Sequence, residues 1–128
     1  MNLVTFTLSL VTELYARFED LDVWKKAARL SADIYKQLAE LKDFGFRDQI
    51  TRAGLSIPSN IAEGYERSSD KEIVNFLNYA KGSAGELRTQ IYIGMDIGYI
   101  QPVIGKEWLK CAEEISKMLH GLIRSIRA

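Results

Sequence analysis

The sequence predicts an all-α domain: an antiparallel, up-down-up-down four-helix bundle with a proline-kinked second helix. Three observations predict it. Four stretches repeat apolar residues at three- and four-residue steps, the pattern of an amphipathic helix. The connections between them are short, which makes sequence neighbours antiparallel. Only two prolines occur in 128 residues, and each can be given a helical place.

The first helix is expected from about Asp22 to Leu41. Leu21, Trp24, Ala27, Ala28, Ile34, Tyr35, Leu38 and Leu41 fall on one face. Asp20 or Asp22 can cap its start. Gly45 is expected as the left-handed residue that ends it. The second is expected from about Arg47 to Glu66, with Ile50, Gly54, Ile57, Ile61 and Tyr65 as its apolar stripe. Pro58 lies inside that span. A mid-helix proline lacks a donor and crowds the carbonyl four residues earlier. That earlier residue is Gly54, which leaves room to bend, so one kinked helix is expected rather than two helices and a loop.

The third helix begins at a capping box, Ser69-Asp70-Lys71-Glu72. Ile73, Phe76, Leu77, Ala80, Ala84, Leu87, Ile91 and Met95 then share a face as far as about Gly98. Gly82, Ser83, Ala84 and Gly85 form a small-residue patch, expected at a close helix–helix contact. A phosphate-cradling loop would need a strand before these glycines and a helix opening after them, and neither is present. The fourth helix is expected from about Val103 to Ile126. Pro102 suits its first turn, and Trp108, Ala112, Ile115, Leu119, Leu122 and Ile126 form its stripe.

Composition sets the remaining bounds. The chain has the length of one domain and can bury a single core without disulfide or metal. Seventeen basic residues balance seventeen acidic ones. Zero net charge removes the simplest argument for nucleic-acid binding, leaves a local basic face open, and favours self-association. Cys111 is the only cysteine, so no internal disulfide can form, as suits a reducing cytoplasm. The apolar start of the chain carries Leu3, Val4, Phe6, Leu8, Leu10 and Val11. It is shorter than the roughly twenty residues of a membrane span and lacks a basic leader region and a cleavage site. Residues 1–17 read as an extension or arm and residues 18–128 as the bundle. The extension is an arm packing on the bundle, a partner-docking segment, or residues added by an upstream start codon.

No catalytic constellation is recognisable, and no enzyme, metal or cofactor is expected. His120 is the only histidine, with Cys111 its only possible soft partner for zinc. A di-iron bundle needs Glu-x-x-His on two helices, and the position three before His120 is Lys117. No nucleophile-elbow or phosphate-loop motif occurs.

Two polar stripes remain. On the second helix Arg52, Ser56, Asn60, Glu63 and Arg67 recur at helical steps, with Ser59 beside them. They read as a solvated face with Glu63–Arg67 and Asn60–Glu63 contacts. They also read as a partly buried network in which Glu86 of the third helix pairs with Arg52. On the fourth helix Lys106, Lys110, Lys117, Arg124 and Arg127 wind along one face with Glu113 and His120 between them. The plain reading is a solvated face whose cations suit the helix C-terminus. The functional reading is a phosphate-binding stripe, extended by Lys81 and Arg88 of the third helix and by Lys25, Lys26 and Arg29 of the first. Pairing with Glu107, Glu113 or Glu114 would cancel it.

These residues resemble a known family. Phe18-Glu19-Asp20-Leu21-Asp22-Val23-Trp24-Lys25-Lys26-Ala27 is similar to its opening segment, and Arg52 through Tyr65 to its central signature. Phe76-Leu77, Ala80-Lys81-Gly82-Ser83 and Glu86-Leu87 are similar to its third helix. The family is that of the four-helix-bundle proteins encoded in intervening sequences of 23S ribosomal RNA genes, with the accessory variability determinant proteins of diversity-generating retroelements as kin. The resemblance covers about Phe18 to Ile126. It implies a bacterial, non-enzymatic homopentamer, with RNA or DNA and a reverse transcriptase as partners in the retroelement relatives. This chain departs in its first seventeen residues and in its neutral charge. The expectation is an oligomeric RNA-binding or ribonucleoprotein accessory protein. The alternative is a scaffold presenting repeated surfaces to a protein partner.

Overall fold

The computed structural model describes residues 17–128. A 3-10 turn at Phe18–Asp20 leads into four helices: α1 (Asp22–Gln37), α2 (Phe44–Tyr65), α3 (Asp70–Asp96) and α4 (Pro102–Arg127). No strand occurs among the described residues. The helices pack in sequence order, α2 on α3 and α3 on α4 most extensively, with α1 against α4 the lightest contact. This is the antiparallel four-helix bundle the periodicity predicts. The expected arm lies, apart from Arg17, outside the described residues.

Helix ends are set by local chemistry. α1 starts after Leu21, with no side-chain cap, so neither Asp20 nor Asp22 caps it; Asp22 instead sits in its first turn, where a carboxylate suits the helix dipole. α1 also stops at Gln37, short of the expected Leu41. The chain turns there so that Asp43 can cap α2, the Phe46 N–H donating to Asp43 Oδ1 at 3.1 Å. Gly45 is therefore inside α2 and does not terminate α1. Ser69 caps α3 as its motif predicts: the Glu72 N–H donates to Ser69 Oγ at 3.2 Å, and that hydroxyl donates to the Glu72 carboxylate. The left-handed residue that does end a helix is Gly98, with φ of 81°. The Tyr99 N–H reaches the Gly94 carbonyl at 2.8 Å and the Gly98 N–H reaches Met95 at 3.2 Å. This pair of bonds satisfies two of the last carbonyls of α3. Pro102 opens α4, where its missing donor costs nothing.

Pro58 lies inside one continuous α2, as expected. Gly54 makes room for a neighbour: a Cβ there would stand 3.4 Å from Ile34 Cδ1 and 3.8 Å from Ser31 Cα of α1. Gly54→Leu should cost about 1–3 kcal/mol by overpacking that crossing, read as a lower urea midpoint.

The core is apolar and drawn from all four helices, with Ile34, Ile57, Leu77, Leu87, Ile91, Ile115 and Leu119 fully buried. On α1 the buried face carries Val23, Ala27, Leu30 and Ile34, whereas the expected Trp24 and Ala28 are half-buried and Tyr35 is exposed. Trp108 is buried, and its indole N–H donates to Asp33 at 2.7 Å, tying α4 to α1. In the small-residue patch Ala84 is buried, but a Cβ at Gly82 would meet nothing within 4 Å. Within one chain, then, Gly82 makes no close helix contact.

Asp43 does a second task. Tyr99 donates its hydroxyl to Asp43 Oδ2 at 2.8 Å, joining the α3–α4 connection to the start of α2. The Phe46 N–H, and then the Tyr99 hydroxyl, hold this carboxyl below the usual carboxylate range. A depressed folded pKa means stability that is present above the ordinary carboxylate range and lost as pH falls through the folded value. Asp43→Asn removes the titrating carboxyl while its one carbonyl oxygen can still accept from the Phe46 N–H, and it should narrow the gap between thermal midpoints at neutral and acid pH. An unchanged gap would remove Asp43 from the acid response.

Candidate nucleic-acid interface

The steps from Lys106 through Lys110, Glu113, Lys117, His120 and Arg124 to Arg127 are all three or four residues. On a helix such steps stay within a face roughly 100° wide. All seven residues are exposed. After Glu114 the chain contains no acidic residue, so Lys117, His120, Arg124 and Arg127 form the end of the stripe without an interleaved carboxylate. The Arg124 and Arg127 guanidiniums lie in the last turn of α4, where cations suit the helix dipole.

One of the two neighbouring carboxylates, Glu114, is engaged elsewhere. Glu114 binds Lys26 of α1 at 2.9 Å. That bond, ahead of the more distant Lys110 and Lys117, holds the Glu114 carboxyl below its ordinary range. The same bond raises Lys26 above the ordinary lysine value. Lys26 is thus neutralised as a phosphate ligand, while Lys110, Lys117, Arg124 and Arg127 enter none of the ion pairs among the described residues. Glu113 remains on the stripe itself.

Lys81 and Arg88 share a different stripe. With Met95 they recur at seven-residue steps on α3, and Met95 packs against Gly105 of α4. Their stripe therefore runs along the α3–α4 seam. Both are half-buried. Arg88 Nε is sealed from solvent without a hydrogen-bond partner, so Lys81 and Arg88 flank the basic edge less accessibly than the α4 cations.

The polar stripe of α2 does not form a buried network. Arg52, Ser59, Glu63 and Arg67 are exposed and Asn60 is half-buried. Ser56 donates to the Ala53 carbonyl at 2.9 Å and Asn60 to the Ser56 carbonyl at 2.8 Å, so both satisfy themselves on their own helix. Arg67 pairs with Glu63 at 2.9 Å and lies 4.8 Å over the Phe76 ring. The Arg52–Glu86 pair is absent. Arg52 lies on the α1 side of α2, in a depression of about 530 Å³ with Tyr35 and Arg47, whereas Glu86 on α3 accepts from Gln90. The solvated-face reading of this stripe is the one the geometry supports.

His120 is exposed and Cys111 half-buried, its thiol pushed up by burial. No cluster of three potential metal ligands occurs among the described residues, and none of their helices is long and apolar enough to cross a membrane. Sequence reasoning missed three cross-links: Asp33–Trp108, Asp43–Tyr99 and Lys26–Glu114. Their partners are 56 to 88 residues apart, so no local spacing announces them.

The fold and this surface define a helical-bundle protein whose most distinctive chemical feature is a charged edge. Residues 19–121 match the 23S rRNA-intervening sequence protein family, and the chain belongs to it. Among solved structures it is similar to a protein of unknown function from the S23 ribosomal protein family of Bacteroides thetaiotaomicron VPI-5482. The two share 30% identity with a TM-score of 0.74, over 79% of this chain and 97% of that one. No curated protein matches.

Proposed function

We propose that this protein is a non-enzymatic, oligomeric bundle that binds structured RNA by its phosphates along the C-terminal edge of α4. The observation that carries the reading is that Lys117, Arg124 and Arg127 are exposed, share a face and enter no ion pair among the described residues. Lys110, with Lys81 and Arg88 beside the α3–α4 seam, extends the edge. The family's name, taken from intervening sequences of 23S rRNA, supplies the RNA setting. Three cations in one chain are too few for tight binding at physiological salt. Repetition in an oligomer, five-fold as the family resemblance implies, would place many within reach of one folded RNA and gain affinity through multivalency. That is how a chain of zero net charge can hold a polyanion.

The second reading is a protein-binding scaffold. It draws on Tyr79, Tyr92, Ile93 and Ile97, large apolar side chains of α3 and its C-terminus that are each about half exposed. Such residues are enriched at protein contacts.

The test is binding of a structured RNA across a salt series by the unchanged protein and by the Lys117→Ala/Arg124→Ala/Arg127→Ala variant. Counterion release makes log affinity fall linearly with log salt, with a slope of roughly −0.9 per phosphate contact. The variant should bind more weakly with a visibly shallower slope. Unchanged affinity and slope with the oligomer intact would remove this edge as the site. No binding by the unchanged protein would favour the scaffold.

A further inference from the structure

A second cationic site lies between the end of α1 and the first half of α2. It is a depression of about 530 Å³, within the roughly 300–1,000 Å³ range of ligand pockets. Arg47, Asp48 and Arg52 carry its charge, and Tyr35 and Leu55 form its apolar side. Arg47 is held in place: its Nη1 donates to the Ala39 carbonyl at 3.1 Å, and its guanidinium lies 4.7 Å over the Phe44 ring. No carboxylate neutralises either arginine. Arg47, Arg52 and Asp48 enter none of the ion pairs among the described residues. Tyr35 and Leu55 are each 46% exposed. Both also border an apolar groove that continues between α1 and α2 past Trp24, Ala28 and Pro58. The site thus has a cationic end and an apolar, aromatic end, with one carboxylate between the charges.

We propose that this pocket binds a nucleotide unit, with its phosphate at Arg47 and Arg52, its ribose beside Asp48 and its base stacked on Tyr35. Each part answers a feature of the pocket. A guanidinium presents parallel N–H donors that match phosphate oxygens, and one already fixed loses little freedom on binding. Asp48 would repel a bare phosphate. The ribose 2′-hydroxyl is a donor that an ionised carboxylate accepts. An exposed tyrosine ring offers a stacking platform for any base, because every base has a π-face. An aliphatic carboxylate would fill the cationic end alone and leave Tyr35 unused. The site is independent of the α4 edge, since none of Lys110, Lys117, Arg124 and Arg127 lines it. Two sources present the same unit, a free ribonucleotide and an unstacked residue of single-stranded RNA.

Isothermal titration of the full chain with AMP and UMP tests this, with inorganic phosphate, adenosine and 2′-deoxy-AMP as comparisons. A ribonucleotide should bind saturably and about tenfold more tightly than phosphate or adenosine. Arg52 is exposed and unpaired, so Arg52→Ala keeps the fold. It should weaken AMP about tenfold and leave adenosine unchanged. Tyr35→Ala should weaken AMP and adenosine alike. AMP should bind severalfold more tightly than 2′-deoxy-AMP, and Asp48→Ala should erase that difference. The Lys117→Ala/Arg124→Ala/Arg127→Ala variant should bind AMP as the unchanged protein does. In that variant a short single-stranded RNA separates the sources. Binding much tighter than AMP, and weakened by Arg52→Ala, assigns the pocket to RNA; equal or weaker binding assigns it to a free ribonucleotide. No binding of AMP or UMP at millimolar concentration would overturn the proposal. So would phosphate binding as tightly as AMP, equal binding of AMP and 2′-deoxy-AMP, AMP binding that survives both Arg52→Ala and Tyr35→Ala, or its loss in the α4 variant.

Discussion

Leu87→Ala should cost the bundle about 2–5 kcal/mol. Leu87 has no exposed surface and sits on the face of α3 that also buries Leu77, Ala80, Ala84 and Ile91. Truncation removes the transfer free energy of its methyl groups. It also leaves a cavity that the flanking helices can close only in part, because α3 is held on both sides by α2 and α4. A domain of this size has only about 5–15 kcal/mol in total. Each kcal/mol moves its thermal midpoint by roughly 4 °C, so a loss near 3 kcal/mol appears as about 12 °C. Val103→Ala is the control. Val103 is 78% exposed in the first turn of α4, and its truncation should stay within about 0.5 kcal/mol. Comparable small shifts for both would mean that the assigned core face of α3 is wrong.

That face could be read from the sequence because its apolar residues recur at three- and four-residue steps from Ile73 to Met95, although Tyr79, Tyr92 and Ile93 leave apolar surface on the exposed side as well. The expected stripe from Ile73 to Met95 contains every buried apolar side chain of α3 except Val74. α1 was harder to read for a physical reason. Val23 and Leu30 lie on its core side and Trp24, Ala28 and Tyr35 on the side bordering the groove. Together they make an apolar arc too wide for periodicity to say which part another helix covers. The groove is the remainder of that arc. Ends announced by a local side-chain or φ requirement, such as Ser69 with Glu72 and Pro102, were legible. The start of α2 was not, because Asp43 also answers to Tyr99, far along the chain. The same limit applies to the candidate interface. The α4 stripe is a matter of spacing and was legible. That Glu114 pairs with Lys26 of α1 rather than with a cation of the stripe is a tertiary fact. The network on α2 failed for the converse reason: spacing placed its members on one face, but burial and partners decide whether a face becomes a network.

Gly64→Ala and Gly82→Ala should move stability in opposite directions. Both glycines lie inside helices, where replacement by alanine normally gains about 0.5–1 kcal/mol in conformational entropy. At Gly82 nothing lies within 4 Å of the new methyl group, so the gain should appear in full. At Gly64 the Cβ would stand 2.9 Å from Phe76 Cβ and 3.3 Å from the Ile73 carbonyl oxygen. The oxygen belongs to the α3 backbone and the Cβ is bonded directly to it, so no rotamer change removes either. α2 and α3 must separate along their most extensive contact, at a cost of about 1–3 kcal/mol from overpacking. The net effect at Gly64 is therefore destabilising, and urea unfolding of the two variants beside the unchanged protein reads both signs. A neutral Gly64→Ala would mean that α2 and α3 are farther apart than this geometry. A Gly82→Ala variant that loses stability, or sediments as a smaller species, would carry separate information. It would show that another subunit covers the exposed side of the small-residue patch, and the close helix contact expected there would then lie between chains.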